Sequence, residues 1–101
     1  MSRHDAPQLS VIIATWNRPL ALARCLAGWA RQTAGAIEVV VVDDGSEPAA
    51  AVPPPCRLLR IAHAGVAAAR NAGLRAARGE YLVLYDDDLC PHPRLAEYCL
   101  A

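Results

Sequence analysis

Ile37-Glu38-Val39-Val40-Val41-Val42-Asp43-Asp44-Gly45-Ser46 is the stretch that decides the fold. Its first six residues are a nearly continuous β-branched run, the composition of a strand buried on both faces of a parallel sheet. The run ends abruptly in Asp, Gly and Ser, which favour a turn. A parallel strand needs parallel neighbours, each reached through a crossover, and the sequence on both sides supplies them.

Upstream, Leu9-Ser10-Val11-Ile12-Ile13-Ala14 is an apolar run of strand length, too short for a buried helix. After Thr15-Trp16-Asn17-Arg18, Pro19 stands where a helix starts without losing a needed N–H. Leu22, Cys25 or Leu26, Trp29 and Ala30 then recur at helical spacing, which predicts a helix to about Thr33 stopped by Gly35. Downstream, Glu47 to Pro55 turns to alanine and proline, and Pro53-Pro54-Pro55 excludes a helix or a central strand there. That segment is a connecting loop. Arg57 to Ile61 reads as a third strand and His63-Ala64-Gly65 as a turn. Val66 to Arg78 reads as a helix with Val66, Ala69, Ala72 or Gly73 and Ala76 on one face, ended by Gly79. Tyr81-Leu82-Val83-Leu84-Tyr85 is the fourth strand, and Pro93 to Leu100 begins a further helix. The order strand-helix-strand-loop-strand-helix-strand predicts an α/β domain with a mostly parallel sheet. Residues 1–8 are expected as a tail and 9–101 as one domain.

Composition narrows the function classes. The 101 residues allow one small core. Lysine is absent, and ten arginines balance ten acids to a formal charge of zero, without the basic excess of a general nucleic-acid or anionic-membrane binder. No apolar run reaches about eighteen residues, and Met1 to Pro7 lacks the apolar segment of a signal peptide. The expected location is therefore cytoplasmic, and the scattered Cys25, Cys56, Cys90 and Cys99 are expected as free thiols. Cys90, His92 and Cys99 are too loosely spaced to argue for zinc.

The chemistry-bearing residues gather at the carboxyl ends of the strands, where open α/β sheets bind ligands. Thr15, Trp16 and Asn17 follow the first strand, Asp43 and Asp44 the second, His63 the third, and Asp86-Asp87-Asp88 the fourth. Surface decoration would fall at both ends, so this placement favours one shared site. Carboxylates at a strand end suit Mg²⁺ or Mn²⁺, which prefer oxygen ligands and complete their shells with waters and phosphates. Alternation along an extended chain would turn Asp86 and Asp88 to one side and Asp87 to the other. Asp43 or Asp44 could accept a hydrogen bond from a base or ribose, against the plainer reading of a turn. Trp16 could stack on a base, Arg70 could meet a phosphate with its planar fork, and Asn71 lies beside it. His63 is the weakest candidate, since a loop histidine is usually just exposed.

Four ordered stretches resemble the successive motifs of family 2 glycosyltransferases with the GT-A fold: Val11 to Pro19, Glu38 to Ser46, Gly65 to Gly73, and Gly79 to Asp88. The resemblance runs from about Leu9 to the end and is far more specific than a lone D-x-D. It implies a metal-dependent transfer of sugar from a nucleoside-diphosphate sugar, with a UDP-sugar as the expected donor. By that analogy Thr15 and Trp16 line the nucleoside pocket, where tyrosine is more usual than tryptophan at the second position. Asp44 bonds the base edge, and Arg70 lies near the diphosphate. Asp88 is the metal ligand for Mn²⁺ or Mg²⁺, with Asp86 or Asp87 near the metal or ribose. Family members are more than twice as long and place their acidic general base after the D-x-D. Here only Glu97 follows it, so the chain is expected to be the donor-binding half of an enzyme, inactive alone, with the acceptor unknown. The competing class is a non-catalytic nucleotide-binding or interaction domain of the same fold. A haloacid-dehalogenase phosphatase needs an Asp after the first strand, where this sequence has Ala14-Thr15-Trp16, and a nucleotidylyltransferase is disfavoured because no Gly-rich phosphate loop follows that strand.

Overall fold

The computed structural model describes residues 6–33 and 35–100. Four strands, β1 (Leu9–Thr15), β2 (Ile37–Asp43), β3 (Arg57–Arg60) and β4 (Tyr81–Asp86), form one sheet in the order β3-β2-β1-β4. Every pairing is parallel. Three helices accompany them: α1 (Pro19–Ala30), α2 (Val66–Ala76) and α3 (Leu95–Leu100). The strand count, the order of elements along the chain and the loop crossover between β2 and β3 agree with the pattern read from sequence. Of the expected tail, residues 1–5 lie outside the described residues. Gln8 is already tied into the sheet, its N–H donating to Ala36 O and its carbonyl accepting from Tyr81 N.

The alternation of β1 feeds two cores. Leu9, Val11 and Ile13 face α1 and pack with Leu22, Cys25, Leu26, Trp29 and Val41, with Ala96 of α3 on the same side. On the other face Val40 and Val42 meet Ala69 and Ala72 of α2. β2 is fully buried only from Val40 to Asp43, so its burial on both faces holds for the end nearer the ligand edge. β4 is an edge strand, and Tyr81, Leu82 and Leu84 are exposed on it.

Both main helices end earlier than their periodicity suggests. α1 stops at Ala30 rather than near Thr33, because Arg31 N and Gln32 N donate three residues back, to Gly28 O and Trp29 O, and tighten the last turn. Gln32 Nε2 adds bonds to Gly28 O and His92 O. α2 stops at Ala76, where the backbone of Ala77 turns extended and Arg57 Nη1 takes the freed Ala76 carbonyl at 2.9 Å.

Gly73 sets the distance between α2 and the sheet. A β-carbon there would stand 2.5 Å from Ile12 Cγ2 and 3.2 Å from Val42 Cγ2. Helix propensity alone would favour a larger residue by about 1 kcal/mol, so close packing outweighs it. Gly73→Val is expected to lower stability by about 2–3 kcal/mol through overpacking, read as a drop in the urea midpoint. An unchanged midpoint would remove this account of how α2 is seated.

Candidate functional site

The parallel register levels the strand ends. Thr15 stands beside Asp43 and Ala14 beside Asp86, so the last residues of β1, β2 and β4 open on one edge. The chain leaves β1 toward β2 and β3 on one side and returns to β4 on the other. The crevice between β1 and β4 is therefore the topological switch point where doubly wound sheets bind ligands. A cleft of about 420 Å³ lies there, walled by Thr15, Trp16, Arg18, Asp44, His63, Arg70 and Asp86 to Asp88. That volume suits a small organic ligand.

Asp43 and Asp44 divide the work at the end of β2. The Asp43 side chain is fully buried. Its carboxylate accepts from Ser46 N at 2.9 Å, Ala50 N at 2.8 Å and Arg60 Nη1 at 2.7 Å, which ties β2 to its turn, to the proline loop and to β3. Burial would push this carboxyl up, but the hydrogen bonds from Ser46 and Ala50 and the Arg60 charge outweigh burial and hold it below the usual range. Asp44 turns to the cleft. Its two oxygens accept from Ala64 N at 2.8 Å and Gly65 N at 3.0 Å and so order the turn before α2. Gly45 between them and the turn has φ +78°, and a β-carbon on it would stand 2.8 Å from His63 N.

The three aspartates separate by burial. β4 ends at Asp86, and Asp87 and Asp88 lie in a turn, so the strand alternation expected across all three stops at the first. Asp86 and Asp88 are nevertheless the open pair, while Asp87 is buried and accepts from Thr15 Oγ1 at 2.9 Å. Two guanidiniums balance the cluster: Arg18 Nη1 stands 3.3 Å from Asp87 and 3.4 Å from Asp88, and Arg70 Nη2 stands 3.2 Å from Asp86. Among the described residues no three His, Cys, Asp or Glu side chains converge on one point. The two open carboxylates are hard oxygen donors on the cleft wall and fit a Mg²⁺-class cation whose remaining ligands come from phosphate and water.

Trp16 and His63 form the opposite wall, their rings stacked with centroids 4.3 Å apart and planes at 20°. Gly65, the N-cap of α2, and Val66, its first residue, also line the cleft, so the N-terminal end of that helix borders it.

Several residues sit elsewhere than sequence reasoning placed them. Asp43 and Asn17 are not among the cleft-lining residues. Asn17, at φ 53°, receives Glu47 N on its side chain and gives its own N–H to Ser46 Oγ, pinning the β1 and β2 turns together. Asn71 is an exposed residue of α2 outside the cleft. Arg18 was missed as a site residue, since an arginine ahead of a helix usually reads as solvated. His63, the weakest candidate, lines the cleft. Cys25 lies under Asp86, its Sγ–H donating to that residue's carbonyl at 3.6 Å, and burial together with Asp87 pushes its thiol up to about 12. It is no nucleophile at neutral pH. Glu97 is held by Arg94 and Thr33, which bring its carboxyl down to about 2. A carboxylate that weakly basic is poorly suited to take a proton.

The expected one-sidedness of the polar residues is incomplete. At the amino ends of the strands Glu38 accepts from Ser10 Oγ at 2.6 Å, Arg78 N at 2.6 Å and Arg57 Nη1 at 3.0 Å. Burial raises this carboxyl, and the Ser10, Arg78 and Arg57 bonds together bring it below its ordinary range.

The profile of Glycosyl transferase family 2 matches residues 10–101. The chain is 37% identical over 87 residues to the uncharacterized glycosyltransferase YwdF of Bacillus subtilis, covering 80% of this chain and 32% of that protein. Among solved structures, S. aureus TarS residues 1–349 in complex with UDP superposes with a TM-score of 0.79 at 23% identity, over 92% of this chain and 31% of that one. The mannosyltransferase PcManGT of Pyrobaculum calidifontis, in complex with GDP-Man and Mn²⁺, gives 0.70 at 29% identity, over 87% and 30%. The chain thus spans about a third of the length of the proteins it matches. The parallel α/β sheet they share with it is the GT-A fold.

The role given to Asp43 predicts a pH dependence. Its carboxyl is depressed in the folded state, so its stabilisation is complete above the unfolded value of about 4 and is lost as pH falls through the lower folded value. Asp43→Asn is expected to cost about 2–3 kcal/mol near neutral pH. The gap between the two proteins' urea midpoints should close on acidification below about pH 4. A gap constant down to strong acid would show that the charge is not its source.

Proposed function

The chain belongs to glycosyl transferase family 2, and from that premise we propose that its strand-end cleft binds the donor of a glycosyl transfer, a nucleoside-diphosphate sugar, together with Mn²⁺ or Mg²⁺. The observation that carries this reading is the convergence in one cleft of a stackable ring, a buried acceptor, a guanidinium and two open carboxylates. Each part of a sugar nucleotide has a matching group. Trp16 offers its indole face to the base and Asp44 an acceptor to its edge. Thr15, bonded to Asp87, fixes the floor beneath the ribose. The diphosphate meets Arg70 and the first turn of α2. Asp88 and Asp86 would hold the cation, which when bound neutralises charge on the departing nucleoside diphosphate.

The arginines explain how such a site persists before its ligand arrives. Adjacent carboxylates at a strand end repel one another by about 1 kcal/mol or more per close pair. Arg18 and Arg70 offset that repulsion across Asp86, Asp87 and Asp88. A diphosphate with its cation offers both partners a substitute: the cation for the carboxylates and the phosphates for Arg70.

Uridine is the base expected from the resemblance, while the mannosyltransferase at 29% identity holds GDP-Man, so both nucleotides belong in the test. The acceptor, and the base that activates its hydroxyl in an inverting transfer, are assigned to the length of the relatives that this chain does not span. In calorimetric titration with Mn²⁺ present, UDP or GDP is expected to bind, and Asp88→Asn to weaken that binding by about tenfold or more. Omitting Mn²⁺ should weaken the native protein and leave Asp88→Asn little changed. Failure of both nucleotides to bind at millimolar concentration with Mn²⁺ would remove the donor-site reading.

A further inference from the structure

The His63 imidazole itself makes, within the cleft, both of the interactions that the donor-site reading gives to a nucleotide base. Its ring lies on the Trp16 indole at 4.3 Å between centroids. Its Nδ1 stands 3.0 Å from Asp44 Oδ2 and 3.1 Å from the Asp44 carbonyl. Both neighbours of Nδ1 are acceptors, so that nitrogen carries a proton and donates, as a base N–H would. Rings stacked this closely leave no space for a third ring between them. Asp44 has little acceptor capacity to spare, because Ala64 N and Gly65 N hold its two oxygens and His63 takes a further position on Oδ2. A base cannot take this face of Trp16 and this edge of Asp44 while the imidazole is there.

Resting on that reading, we infer that His63 is a resident stand-in for the base, displaced when the donor binds, and that it thereby sets nucleoside affinity and selectivity. The local structure permits the exchange. The backbone around His63 is fixed by the Ala64 and Gly65 bonds to Asp44 and by the close approach of Gly45, whereas its side chain is 53% exposed. The imidazole can rotate out to water while the turn that orders α2 stays in place. A ligand that stacks on Trp16 and donates to Asp44 replaces both the stacking and the hydrogen bond that the imidazole gives up. One that offers neither must bind without disturbing His63, through the diphosphate and cation groups alone. The pocket therefore discriminates twice, once by what it touches and once by what must be expelled.

His63→Ala separates the possibilities, since truncating a half-exposed side chain removes no core packing. The probes are UDP, GDP and pyrophosphate, each with Mn²⁺, titrated calorimetrically into the native chain and the variant. The expected result is about fivefold or greater tightening for whichever nucleotide binds, because the occupied fraction of the site is released, with pyrophosphate unchanged. Trp16 emission should shift on nucleotide addition in the native chain and be shifted from the outset in His63→Ala. Unchanged or weaker nucleotide binding by the variant would overturn the inference and leave the donor site standing. Equal tightening of pyrophosphate would overturn it too, since the effect would not involve the base. If neither nucleotide binds either protein, the donor-site reading fails and this inference falls with it.

Discussion

The cleft depends on one constraint, the parallel registration of β1 between β2 and β4. Because Thr15 is level with Asp43 and Ala14 with Asp86, residues from three strands separated by up to 72 positions arrive at one edge. A shift of one residue in either pairing would reverse which side chains face α1 and which face α2. Leu9, Val11 and Ile13 bury on one side while Val40 and Val42 bury on the other, so such a slip would expose a core. The apolar pattern of the strands, which touches no ligand, is thus what aligns Thr15, Asp44 and Asp86. Gly73 belongs to the same constraint, because α2 can only bring Arg70 to Asp86 if the helix lies close on Ile12.

A second layer converts aligned strand ends into a shaped site. Neighbouring carboxylates at the end of β2 perform opposite tasks, Asp43 as the last residue of the strand and Asp44 as the first beyond it. Asp43 turns inward and spends both oxygens on its own turn, on Ala50 and on Arg60. Asp44 turns outward and organises the 63–65 turn. The inward bonds hold the loops still, and Asp44 thereby stands at a fixed place on the cleft wall. Asp87 does the same below the cleft, fixed by Thr15 while Asp86 and Asp88 stay open. In each cluster one carboxylate is tied into the chain's own bonds beside neighbours that line the cleft.

The fold was legible in the sequence because it rests on periodicity and on proline and glycine punctuation, which are local. Pro19, the β-branched runs and the proline loop each placed an element correctly. The ends of α1 and α2 were not legible, because they are set by Gln32 reaching His92 and by Arg57 reaching Ala76 across the fold. The site was legible as an edge but not residue by residue. Asp43 and Asp44 are identical in sequence terms and both are buried, and only their partners in the fold tell which one lines the cleft. Arg18 carried no signal beyond its place before Pro19, and its relevance arises from a contact with residues 69 and 70 positions away. His63 is placed at the same edge as Asp44 by its position after the third strand, and that alone does not lift it above an exposed loop histidine. Its stacking on Trp16 was not legible in the sequence.

Polar residues at both ends of the sheet sharpen what makes the carboxyl edge a site. Glu38 at the amino edge has a largely buried, well-bonded side chain, and by charge alone the two clusters look alike. They differ in closure. Glu38 gathers donors from Ser10, Arg57 and the Arg78 backbone into a network that joins β1, β2 and β3 to the entry of β4, and Ser10 Oγ in turn accepts Gly79 N at 2.7 Å. Those bonds hold the sheet together, and the half-exposed Arg78 guanidinium, 3.6 Å from Glu38, is an outer partner beside them. At the carboxyl edge Arg18, Arg70 and His63 are half-exposed side chains resting on carboxylates, and the structural bonds there are already made by Thr15 or by backbone N–H groups. Those three can leave without costing the sheet a bond. A cluster whose outer partners are replaceable and whose inner partners are fixed can exchange one set of interactions for a ligand's, and at the carboxyl edge three such outer partners, Arg18, Arg70 and His63, line one cleft.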